Sequence, residues 1–121
     1  MFMNRKLELL KRVSKELELS FETQDWGIIN SSSDRVNEFV QYFEDNQILE
    51  NSIKYELFEL IIASFNDAIL EGKMDKNLKS LFRDFLDKNS HNTTFKPIID
   101  YWKSIENEEY PVGKLLEEIN N

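Results

Sequence analysis

The sequence predicts an all-α protein, and three observations carry that prediction. Only three Gly and two Pro occur in 121 residues, too few for the many tight turns of a β domain. Apolar residues recur at three- and four-residue spacing in segment after segment, the period of a helix with one buried face. Aromatic residues make up 12% of the chain, which supplies core bulk that an acidic disordered tail lacks. One core suffices at this length, so residues 1–121 are expected to form a single helical domain.

The elements follow in order. From Met3 to Leu19, the residues Leu7, Leu10, Val13 and Leu17 form one helical stripe. Ser20–Ser33 reads as a loop or short extended piece, with Trp26 and Ile28 anchoring it in the core and Gly27 and the serines as loop residues. Ser33 is a candidate N-cap for a helix over Asp34–Asp45, which carries Val36, Phe39, Val40 and Phe43 at helical spacing. After a turn near Asn46–Asn51, the segment Ser52–Glu71 has apolar residues over roughly 200° of arc at 100° per residue, the mark of a central helix with several neighbours. Its remaining arc holds Glu56, Glu59, Ala63, Asn66 and Asp67 and is expected to reach solvent. Gly72 stands where a helix C-cap glycine belongs.

Asp75 is positioned to cap the next helix, which runs to about Lys88 on Leu78, Leu81, Phe82, Phe85 and Leu86. Asn89–Thr94 is polar loop. A helix from Phe95 to Glu106 carries Ile98, Tyr101, Trp102 and Ile105 as a core stripe, with Pro97 tolerated in its first turn. The acidic stretch 107–111 breaks it, and Tyr110 is the aromatic expected to be exposed. A short last helix begins near Val112. Five main helices and a short C-terminal one, joined by short links, point to a compact antiparallel bundle, with a HEAT-like stack of hairpins as the alternative.

Charge narrows the function. With 15 basic and 23 acidic side chains the net charge is −8, the opposite of a nucleic-acid-binding footprint. The charge is uneven: residues 1–20 hold five basic and three acidic side chains, and the other ten basic and twenty acidic ones follow. An acidic body steers toward basic partners. Cysteine is absent, which removes thiolate chemistry, and the single histidine, His91, sits in a polar stretch with no second histidine to join it. No Gly-x-Ser-x-Gly, Walker or dinucleotide motif occurs, so no catalytic residue and no cofactor are expected. Glu56 and Glu59 share a helix face, but the Glu-x-x-His pairs of bundle metal sites are missing, so no metal site is expected either. No apolar run approaches the ~18 residues of a membrane span. The N-terminus lacks a clean apolar stretch with a small-residue cleavage site, which points to the cytoplasm.

The Trp26-Gly27-Ile28 loop before a helix, the Lys54–Ala68 helix and the Asp100-Tyr101-Trp102 run together resemble small acidic helical immunity proteins of bacterial polymorphic-toxin and contact-dependent growth inhibition systems. That resemblance covers about Asp25–Leu116. It implies a cytoplasmic, non-catalytic protein that binds and blocks a cognate toxin, often a nuclease, encoded next to it. Such families differ in fold, so the resemblance transfers a role and no site residues. The residues themselves suggest the contacts: the Glu56, Glu59, Asn66 and Asp67 stripe, and Glu106, Glu108, Glu109 and Tyr110. Two other readings stand beside it. One is an enzyme using helical carboxylates and a divalent metal. The other is an accessory protein that mimics nucleic acid, against which Lys73, Lys76, Lys79 and Arg83 interrupt the negative charge.

Overall fold

A computed structural model describes residues 4–119 of the chain. The described residues form seven α-helices and one 3₁₀ turn, with no strand. The helices are α1 (Arg5–Glu16), α2 (Trp26–Asn30), α3 (Val36–Asp45), α4 (Asn51–Leu70), α5 (Lys76–Asn89), α6 (Lys96–Ser104) and α7 (Val112–Ile119), and the 3₁₀ turn is Ser33–Arg35. Met3, the expected start of the first helix, lies outside the described residues. α1 begins instead after Asn4, whose side chain accepts the Leu7 N–H at 2.9 Å and so satisfies one of the free first-turn donors.

α4 is the hub. It packs against α1, α2, α3, the 3₁₀ turn and α7. Ile53, Leu57, Phe58, Leu60, Ile61, Ile62, Phe65 and Ala68 are all fully buried along it, as the wide apolar arc requires. Four phenylalanines join its N-terminal half to the neighbouring helices. Phe58 stacks on Phe95 at 4.5 Å between centroids and on Phe85 at 5.1 Å. Phe43 of α3 meets Phe85 at 5.4 Å and Phe95 at 5.7 Å. Further along, Phe65 packs on Phe82 of α5 at 4.3 Å. Each such pair adds about 0.5–1.5 kcal/mol beyond the area it buries.

The stretch before α3 departs from the expected loop. Trp26–Asn30 is a short helix, and Ile28 is exposed rather than anchored. Tertiary contacts account for both. Buried Trp26 donates its indole N–H to Ser14 Oγ of α1 at 2.8 Å, and Ser14 in turn donates to the Leu10 carbonyl. Gly27 lies against the α4 backbone so closely that a Cβ there would stand 2.7 Å from the Leu60 nitrogen. With Trp26 and Gly27 turned inward, the helical geometry turns Ile28 and Ile29 out. Ser33 does not act as the expected N-cap, since it lies within the 3₁₀ turn. No helix among the described residues is long and apolar enough to cross a membrane.

Candidate functional site

The polar arc of α4 is where the sequence places one half of the contact surface, and the structure puts that arc to internal use. Asn66 is the clearest correction. It is buried at 4% exposure, so it does not display amide donors to solvent. Its Nδ2 donates to the Glu109 carbonyl at 3.1 Å, and its Oδ1 accepts the Val112 N–H at 3.1 Å. The side chain therefore closes the start of α7 and holds the chain segment that leads into it. Ala63, on the same arc, is buried too.

The three carboxylates of the arc are half-buried, not solvent-facing. Glu56 meets Lys6 of α1 at 3.5 Å. Asp67 accepts the Ser31 hydroxyl at 2.6 Å, beside a second link in which Ser64 Oγ accepts the Ser32 N–H at 3.0 Å. Glu59 has no such partner among the described residues, and partial burial raises its pKa, helped by the negative charges of Glu56 and Asp25. The arc is thus a seam that ties α1, the α2–α3 connection and the α6–α7 connection to the central helix. It does not join the acidic break into one exposed stripe.

α6 ends at Ser104, short of the expected Glu106, so the acidic break spans residues 105–111, and it is the exposed half. Asn107 organises it: its side-chain oxygen accepts the backbone N–H of Glu109 at 2.7 Å and of Tyr110 at 3.1 Å. This is the local side-chain turn that Asn favours. The loop is held from below by Asn66 and from the side by Gly113, where a Cβ would stand 2.3 Å from the Trp102 carbonyl oxygen. Glu106, Glu108 and Glu109 are all exposed. None of the three has a Lys or Arg within ion-pair distance among the described residues, whereas Glu44, Glu50 and Asp100 each have one. Tyr110 is half-buried, not free: its ring meets the Trp102 edge at 5.9 Å.

One exposed aromatic departs from the expected core stripe. Tyr101 is placed with the core by helical spacing, yet it is 52% exposed while Trp102 is buried. Its ring meets Trp102 at 6.4 Å, so buried Trp102 touches both exposed Tyr101 and half-buried Tyr110. Helical spacing alone does not reveal this, since adjacent residues such as Ile98 and Ile99 on the same helix are both buried.

His91 is exposed, and among the described residues no group of three or more His, Asp or Glu side chains is arranged to hold a metal ion. In comparisons with known proteins, no family model, no curated protein and no solved structure matches the chain.

Proposed function

We propose that the chain is a non-catalytic protein-binding module that inserts its acidic α6–α7 loop into a basic cleft of a partner, in the role of an immunity protein blocking a nuclease-type toxin. One observation supports this reading most: Glu106, Glu108 and Glu109 are exposed, without cation partners among the described residues, on a loop pinned by Asn66, Asn107 and the Gly113 crossing. A pre-shaped loop loses little conformational entropy on binding. Unpaired carboxylates accelerate encounter with a basic surface. Exposed Tyr101 supplies the aromatic anchor that interfaces favour. The helices are read as an antiparallel bundle around α4, which gives the loop a rigid base, and the cytoplasm is the compartment in which such a module would guard its host.

The test is functional. The C-terminal domain of a secreted protein encoded beside this chain is expressed alone and together with it. The proposal expects toxicity alone and rescue by co-expression. Absence of rescue, or rescue undiminished in Glu106→Lys/Glu108→Lys/Glu109→Lys, contradicts it.

A further inference from the structure

A second surface carries the opposite charge. An open groove of about 780 Å³ runs along α1 and the connector that follows it. Lys11, Arg12 and Lys15 line it, with Glu8 as the one acid, and half-buried Leu19 and Phe21 form its apolar part. The connector is folded against α1 because the Leu19 N–H reaches back to the Ser14 carbonyl at 2.8 Å. Buried Ser14 closes the base, its hydroxyl donating to Leu10 and accepting from Trp26.

The cations of α1 divide into two sets. Arg5 pairs with Glu50 and Lys6 with Glu56. Lys11, Arg12 and Lys15 are exposed and have no carboxylate within ion-pair distance among the described residues, in a chain with 23 acids to 15 bases. Three unpaired cations around an apolar floor favour a ligand that is both acidic and apolar.

We propose that this groove binds an acidic amphipathic peptide segment of a partner protein. Its apolar side chains lie on Leu19 and Phe21, and its carboxylates meet Lys11, Arg12 and Lys15. A small anion would leave the apolar floor unused. A lipid surface would need a protruding apolar face, and the stripe of α1, Leu10, Val13 and Leu17, is committed to the core. The site does not depend on the acidic-loop reading, since it lies on a different element and has the opposite charge.

Nuclear magnetic resonance titration of the full ¹⁵N-labelled chain tests it. The probe is a short peptide with Glu, Leu and Phe at helical spacing. Two analogues are compared, one with Lys for each Glu and one with Ser for each apolar residue. The site expects saturable shifts at Lys11, Arg12, Lys15, Leu19 and Phe21 with the first peptide and not with either analogue. Lys11→Glu/Arg12→Glu/Lys15→Glu, at exposed positions that leave the circular dichroism spectrum unchanged, should weaken binding at least about tenfold. Phe21→Ala should weaken it without altering charge. Equal binding of either analogue, undiminished binding by both variants, shifts produced only by raising the protein concentration, or shifts produced only by phosphatidylglycerol vesicles would each overturn the proposal.

Discussion

Asn66 shows how one side chain converts core packing into a presented surface. It lies on α4, yet both of its bonds go to backbone beyond residue 105. Asn66→Ala leaves the Glu109 carbonyl and the buried Val112 N–H without their partner. An unsatisfied buried group costs about 1–3 kcal/mol, so thermal or denaturant unfolding should show a loss of that size. Hydrogen exchange should quicken at Val112 before the core opens. Glu59 is the counterpart, a residue that the fold tolerates at a cost. Its pKa is raised, chiefly by burial and then by Glu56 and Asp25. A carboxyl that binds its proton more tightly folded than unfolded costs nothing while both states are protonated. The cost grows as pH rises from the ordinary glutamate pKa through the raised one and is complete above it. Glu59→Gln should therefore raise the melting temperature at neutral pH. It should change little at about pH 3.5, below the usual glutamate range. An equal effect at both pH values contradicts this origin.

At the scale of elements, helix ends carry most of the local information. α4 stops where Gly72, at φ 72°, lets the Lys73 N–H reach the Ala68 carbonyl and its own N–H reach that of Ile69. That C-cap was legible from the glycine alone. α1 stops in the same way, with the Leu19 N–H on Ser14 and the Glu18 N–H on Lys15, but Glu18 holds the left-handed position at φ 56°. A non-glycine residue there costs about 1 kcal/mol, so Glu18→Gly should stabilise the protein by that order in chemical denaturation. With no glycine to mark this end, periodicity overran it to Leu19. α2 was illegible for a different reason. Five residues are less than two helical turns, too few to show a period. Its helical form depends on Trp26 meeting Ser14 and Gly27 meeting Leu60, contacts that local sequence does not contain.

For the whole molecule, the helical class and the central place of α4 could be read from the spacing of Leu, Ile and Phe. The candidate site was legible only in part. Periodicity groups Glu56, Glu59, Asn66 and Asp67 on one arc, but it does not reveal what covers that arc. Here α1, the serines after α2 and the α6–α7 loop cover it, which makes the arc a seam and leaves the acidic loop as the outward surface. The charge also separates spatially, with unpaired carboxylates at the α6–α7 loop and unpaired cations along α1. On the proposed function, the acidic loop should bind its basic partner with an affinity that falls as salt is added. The proposed function is tested most directly by the dissociation constant for the purified C-terminal domain of a secreted protein encoded beside this chain. It is measured for the natural chain and for Glu106→Lys/Glu108→Lys/Glu109→Lys at low and high ionic strength. Tight, salt-sensitive binding that the triple variant weakens at least about tenfold is expected. No binding by the natural chain, or the same affinity in both proteins, would contradict the assignment of the loop as the contact.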